Sequence, residues 1–341
     1  MKTLFVGVLD KEWSTNCSME RSLEALGHKV TAFNYRTITA EYESSGMSSS
    51  GLFEKHIDKS ASFLRSDRVP IKSNWYFKRK GRNRMNEQLL DTVKQGEYDL
   101  VLLSKTDTVD YNILSQINKY CPTWYYFMDP MDRAHRTNAR AYAARATWAS
   151  ATFSDVTEYF KKAGAKAYWI TQGVDTDVFK PKQVAKVYDV VFVGTKTNKR
   201  LRYINSLKRS GISVTCFGEG WENNPVYQDE LADIYCKSRI ILNFCKPGTG
   251  FSIRVFQAMG TGSFVLSEYC QDLETVLKLK NHPDCFSDID EACEKIRYYL
   301  NREEERENIA KDRYRFVYEQ YSWDKIMQNI LTIVDEKSAR G

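Results

Sequence analysis

Apolar residues fall into short, dense runs separated by stretches of helical periodicity. Residues 3–9 (Thr-Leu-Phe-Val-Gly-Val-Leu) are almost continuously apolar, as a parallel strand covered on both faces must be. A polar loop follows, then a helix from about Ser18 to Leu26 closed by Gly27, and a strand at Val30–Tyr35. Helical patterns occupy 51–64 and 82–95, with buried strands at Asp99–Leu103 and Thr123–Met128. Shorter strands at Ala151–Ser154 and Ala167–Ile170 flank a helix over 155–163. The stretch 171–187 is polar and aperiodic, which suits a linker, and the pattern then restarts. Asp189–Val193, Ile212–Phe217, Arg239–Asn243 and Ser263–Ser267 read as strands, and 199–209, 228–237, 289–301 and 303–319 as helices. Ser322–Glu336 is amphipathic, with Trp323, Ile326, Ile330 and Ile333 near helical spacing. This alternation predicts right-handed βαβ units and an α/β protein of two doubly wound, Rossmann-like domains with a ligand cleft between them.

Composition narrows the class. A length of 341 residues with 42% hydrophobic content suits about two packed domains and excludes global disorder. The serine cluster Ser44–Ser50 reads as a loop. The N-terminal apolar run is too short for a signal peptide, and no stretch approaches a membrane span. The eight cysteines show no CxxC pair and no metal-ligand spacing, so reduced thiols, a cytoplasmic setting and no structural metal are expected. Net charge is +6, but the segment Arg65–Arg84 alone carries +7, with Trp75, Tyr76 and Phe77 inside it. Basic residues interleaved with aromatics suit a polyanion with bases to stack, while lysine stems covering a core suit a solvated helix start equally well.

The stretch Gly248–Glu268 reads as glycine loop, short helix, glycine break and strand. Such a loop feeding a helix that opens near Ser252 presents free backbone N–H groups to a phosphate. Arg254 in the first turn adds forked donors, and Gln257 follows on the same helix face. An ordinary loop–helix–strand unit is the plainer alternative.

Four segments together resemble the GT-B glycosyltransferases, and within them the spore-maturation CgeB-like group. Gln172-Gly173-Val174-Asp175 with Val178-Phe179-Lys180-Pro181 resembles the interdomain linker. Val191-Phe192-Val193-Gly194 with Arg200 and Arg202 resembles the start of the nucleotide-binding domain. Arg254-Val-Phe-Gln-Ala-Met-Gly-Thr-Gly262 resembles the family's R-x-F-E-A-x-x-x-G, and Phe286 through Trp323 its terminal helices. The resemblance is good over 171–330 and weaker before it. It implies an acceptor-binding domain at 1–172 with 322–341 packing back on it, a linker at 173–187, and a nucleotide-sugar domain at 188–321. Two departures stand out. The ribose-binding glutamate of the family is Gln257 here, an amide that still donates to and accepts from hydroxyls. The carboxylate that many retaining members place about two turns earlier is absent at Thr249-Gly250, so no retaining mechanism carries over. Asp175-Thr176-Asp177 looks like a metal-binding D-x-D but lies inside the linker motif.

The resemblance implies a nucleoside-diphosphate sugar as co-substrate, with no tightly bound cofactor and no obligatory metal. The amides of Thr249, Gly250, Phe251 and Ser252, with Arg254, Lys196 and Arg200, are candidates for the diphosphate. Gln257 is the candidate for the ribose, the base is expected near Gly218-Glu219-Gly220-Trp221 or Tyr227, and Gly194 is a further donor-site candidate. Trp221 also suits a loop residue packed on its own domain. The candidate general base is Asp129, after a buried strand and before Pro130, with Asp10 second; a turn or cap carboxylate is the alternative for Asp129. Lys78, Arg79, Lys80, Arg82, Trp75, Arg133 and Arg136 are candidates for the acceptor, and Arg140 and Arg145 continue the basic run. An anionic acceptor fits that charge, in its sharpest form DNA bearing a hydroxymethylated base, as modified by phage enzymes, which would place the protein in a host cytoplasm. A saccharide or small-molecule acceptor, and a non-catalytic nucleotide-binding protein, are the competing readings.

Overall fold

The computed structural model describes residues 1–11, 13–48, 71–106, 108–245, 248–277 and 284–338. It divides into two compact units. The first comprises Met1–Met128, Arg133–Ser150 and Glu158–Tyr168; the second comprises Asp129–Asp132, Ala151–Thr157 and Trp169–Gly341.

The first unit is built on a six-stranded sheet of order β2-β1-β3-β4-β5-β6. Its strands are β1 (Lys2–Gly7), β2 (Lys29–Asn34), β3 (Leu100–Ser104), β4 (Thr123–Phe127), β5 (Trp148–Ala151) and β6 (Ala167–Trp169). β1 runs parallel to β2 and to β3, and β3 to β4. β3 and β4 are buried at every position, which is why they read as unbroken apolar runs. Trp124 at the centre of β4 is fully buried, stacks on Tyr168 at 5.6 Å and donates its indole N–H to Ser150 Oγ at 2.9 Å. The helices are α1 (Thr15–Ala25), α2 (Tyr35–Ser48), α3 (Ile71–Gly96), α4 (Tyr111–Ile117), α5 (Met131–Arg136), α6 (Ala139–Arg145) and α7 (Ser154–Lys162). Ser14 caps α1 and Asp110 caps α4, each accepting from the backbone two residues on.

The second unit holds a five-stranded sheet of order β11-β10-β9-β7-β8, parallel at every pairing. Its strands are β7 (Tyr188–Val193), β8 (Thr215–Phe217), β9 (Ser238–Asn243), β10 (Val265–Glu268) and β11 (Cys285–Phe286). Its helices are α8 (Asn198–Arg209), α9 (Gln228–Cys236), α10 (Arg254–Gly260), α11 (Gln271–Leu277), α12 (Ile289–Leu300), α13 (Glu303–Tyr321) and α14 (Trp323–Ser338). The chain leaves β7 for β8 on one side and reaches β9 on the other, so the direction of winding reverses between β7 and β9. Ligands of open parallel sheets bind at the carboxyl ends of strands beside such a reversal.

Several elements differ from the sequence reading. The strand expected at Ala151–Ser154 is Trp148–Ala151, because Ser154 already opens α7. The serine-rich stretch expected as a loop from Ser44 is helical through Ser48. The strand expected from Ile212 begins at Thr215. The helix expected at 51–64 lies outside the described residues. The terminal helix α14 belongs to the second unit. There Val174 N donates to Tyr321 O at 2.8 Å and Trp323 N to Val174 O at 3.0 Å, pinning the segment that follows β6 to the α13–α14 junction.

Candidate functional site

The carboxyl end of β7 gives way to Gly194-Thr195-Lys196, and Thr197 caps α8 by accepting from Arg200 N at 3.3 Å. That cap brings Arg200 onto the first turn, over the strand end. Its guanidinium sits 5.2 Å from the centroid of the Phe192 ring and donates to Thr195 O at 2.8 Å. Arg254 opens α10, and Ser252 Oγ accepts from its backbone N and from its Nη1, each at 3.4 Å. Burial, and then the charge of Arg254, lower the Arg200 pKa from its ordinary value, with Glu268 opposing. Neither arginine forms an ion pair among the described residues. An anion placed between two such guanidiniums would relieve their repulsion.

The neighbouring cation is already neutralised. Lys199 Nζ lies 2.7 and 2.8 Å from the two carboxylate oxygens of Glu268, and Glu268 Oε2 also accepts from Cys245 N at 2.8 Å. This links the ends of β9 and β10 to α8. Sequence reasoning missed both residues. Glu268 ended the glycine motif as a strand residue, and nothing in the linear order pairs it with Lys199.

Gly218 meets Gly194 across the β7–β8 edge. With φ at +132°, a Cβ on Gly218 would stand 2.5 Å from Gly194 O. Trp221 donates its indole N–H to that same Gly194 O at 2.8 Å and packs edge-on against Phe192. Lys196 Nζ lies 5.2 Å over the indole. Trp221 is thus anchored to its own unit and braces the turn that carries Gly194 and Lys196. Tyr227, by contrast, is largely exposed.

The glycine loop is held from behind. Asp272 is 1% exposed and accepts from Ser154 N at 3.0 Å, from Ser154 Oγ, and from Thr249 Oγ1 at 3.1 Å; its own N–H donates to Thr249 O at 2.9 Å. Gly250 presses on Phe153 so closely that a Cβ would fall 2.0 Å from its ring. Phe251 packs edge-on against Phe256 at 5.1 Å. Thr249 therefore spends its side chain and carbonyl on structure. The helix begins at Arg254, with Ile253 rather than Ser252 in the cap position. Gln257 is half-buried on α10. Ser154 and Asp272, distant in the chain, were not legible as partners.

Of the candidate bases, Asp129 follows β4 and is half-buried. Asp10 follows β1, is exposed and accepts from Asn34 Nδ2 at 3.1 Å. That hydrogen bond is the chief reason its pKa lies below the ordinary value. Among the acceptor candidates, Trp75, Lys78, Arg79 and Lys80 lie on α3, and their side chains are outside the described residues. Arg82 is exposed on the same helix; on α5, Arg133 is half-buried and Arg136 exposed. Asp177 N donates to Asp175 Oδ1 at 3.2 Å, a local turn. No group of three or more His, Cys, Asp or Glu side chains suited to a metal ion occurs among the described residues, and none of their helices is long and apolar enough to cross a membrane.

Residues 199–332 match a protein family described as glycosyl transferase-like. The whole fold is similar to solved glycosyltransferases. HepE from Anabaena, in complex with UDP and glucose, shares 12% identity at a TM-score of 0.64, covering 98% of this chain and 99% of that one. The sucrose-phosphate synthase of Thermosynechococcus elongatus shares 11% at 0.65, covering 100% of both chains. The T4 phage BGT in complex with UDP-glucose shares 10% at 0.59, covering 98% of this chain and 99% of that one. No curated protein matches the chain. The fold is the GT-B fold of these structures.

Proposed function

We propose that the protein transfers a sugar from a UDP-sugar to an acceptor hydroxyl, and that the acceptor is a hydroxymethylated base in DNA. The observation that carries the donor half is the pair Arg200 and Arg254, two guanidiniums that form no ion pair among the described residues, beside the β7–β9 reversal. A diphosphate there relieves their repulsion and receives forked donors. Lys196, Gly194 and Gly218 border the same strand ends, and the backbone of Phe251 and Ser252 adjoins Arg254. Gln257 is assigned the ribose hydroxyls, and Trp221 supports the base side of the site. Thr249 and Gly250 are read as supports of the loop, given their ties to Asp272 and Phe153. The solved structures holding UDP or UDP-glucose support uridine as the nucleoside.

In the transfer, the bond from the sugar anomeric carbon to the diphosphate oxygen breaks and a bond to the acceptor oxygen forms. The arginines take up the charge left on the diphosphate, and a carboxylate takes the hydroxyl proton. Asp129 is assigned that role. The Asn34 hydrogen bond lowers the proton affinity of Asp10. The order and spacing of the linker, R-x-F and terminal-helix motifs support membership of the CgeB-like group.

The acceptor half rests on charge. α3 carries Trp75, Lys78, Arg79, Lys80 and Arg82 within one stretch, and Arg133 and Arg136 follow on α5. Salt-sensitive binding to a polyanion follows from such a set. The similarity to the T4 phage DNA-modifying β-glucosyltransferase agrees with it. The similarity to sucrose-phosphate synthase favours a saccharide acceptor as the second reading.

The test is release of nucleoside diphosphate from a panel of UDP- and GDP-sugars, with and without DNA containing hydroxymethylcytosine or hydroxymethyluracil. UDP release stimulated by modified DNA is expected. Release indifferent to DNA rejects the DNA acceptor and leaves the transferase. No release from any sugar rejects the donor reading.

A further inference from the structure

The first unit carries a cavity of about 310 Å³ beside α6, at the small end of the roughly 300–1,000 Å³ range of ligand pockets. Its polar lining is entirely donor-rich: Arg140, Arg145 and Asn138, with the Tyr111 ring beside them. The rest of its wall is small, formed by Ala141, Ala144 and Ala163. No carboxylate lines it, and among the described residues neither Arg140 nor Arg145 forms an ion pair.

The two arginines are held in place by other means. Arg145 Nη1 donates to Ala141 O at 3.2 Å, and its guanidinium lies 4.7 Å from the centroid of the Tyr111 ring. Tyr111 is itself fixed edge-on against Tyr142 at 5.6 Å, and Tyr142 donates its hydroxyl to Val109 O at 2.5 Å. Arg140 lies 5.8 Å over Tyr159, whose ring stacks on His135 at 4.9 Å. Asn138 adopts the left-handed conformation, φ 52°, and makes no side-chain capping bond to α6, which leaves its amide available to a ligand. Cation–π support orients a guanidinium without neutralising it, so its charge stays available to an anion.

We infer that this cavity binds a phosphate ester, and that its occupant is a backbone phosphate of the nucleic-acid acceptor, gripped by Arg140 and Arg145. The inference rests on the nucleic-acid reading of the acceptor and deepens it. It assigns a phosphate contact to a built site rather than to the diffuse charge of α3. A free nucleotide presents the same phosphate chemistry, so both sources are tested.

The experiment measures the affinity of the full chain for an unmodified DNA duplex across a salt series, and separately for dTMP and inorganic phosphate. Arg140→Gln and Arg145→Gln are made singly and together, with Arg145→Lys retaining the charge should the loss of stem packing unsettle the fold; melting temperature reports folding. The expected result is a slope of log affinity on log salt that becomes shallower by about 1 for each arginine removed and about 2 for the pair. Arg145→Lys keeps most of the slope. Duplex binding that dTMP does not displace at comparable phosphate concentration identifies the backbone as the source. Displacement by dTMP identifies a free-nucleotide site and overturns that assignment. A slope unchanged in the double variant, or a wild type that binds neither DNA nor dTMP, overturns the inference. A parallel UDP titration reads the second unit, so failure here is distinguishable from failure of the donor site.

Discussion

Arg254→Ala isolates the donor-site argument. Among the described residues its one side-chain hydrogen bond goes to Ser252 Oγ at 3.4 Å, and it forms no ion pair with them. Truncation therefore costs the fold little and falls on the ligand. A hydrogen bond to a charged group is worth about 1.5–3 kcal/mol net, which corresponds to a loss of roughly 10- to 150-fold in UDP affinity. The lower half of that range is expected, because removing Arg254 also relieves the repulsion on Arg200 and lets it grip the diphosphate better. The same coupling makes the pair non-additive. The double variant with Arg200→Ala should differ from the sum of the singles by an interaction energy of roughly 0.5–3 kcal/mol. The assay is calorimetric titration with UDP, with uridine as the phosphate-free control. UDP affinity within twofold of wild type, or equal losses for UDP and uridine, would refute the arginine pair as the diphosphate site.

Two further predictions bear on chemistry and on the frame of the site. Asp129→Asn should slow transfer by roughly 10²- to 10⁴-fold with UDP affinity preserved; turnover at the wild-type rate would return Asp129 to a turn residue. Gly218→Ala should destabilise the second unit by about 1–3 kcal/mol in urea denaturation, because φ of +132° strains any L side chain and the new Cβ meets Gly194 O at 2.5 Å. A shift below about 0.5 kcal/mol would show that the β7 and β8 turns do not approach as closely as described.

The sequence by itself determined the layout. Continuous apolar runs such as Leu100–Leu103 and Val190–Val193 read as parallel strands covered on both faces, and their alternation with helical periodicity points to two doubly wound halves. Local chemistry was legible for the same reason: a glycine loop before Arg254 and an arginine one turn into α8 are statements about neighbours in the chain. Tertiary structure decided what those residues face. Lys199 finds Glu268, and Asp272 finds Ser154 and Thr249, across separations that no periodicity encodes. Trp221 finds Gly194 O for its indole N–H across the β7–β8 turns. Thr249, whose backbone amide is a candidate for the diphosphate, has its side chain and carbonyl drawn into a network around a buried carboxylate. Hydrophobic pattern is a property of each segment, whereas charge pairing depends on which strand ends the sheet order makes adjacent.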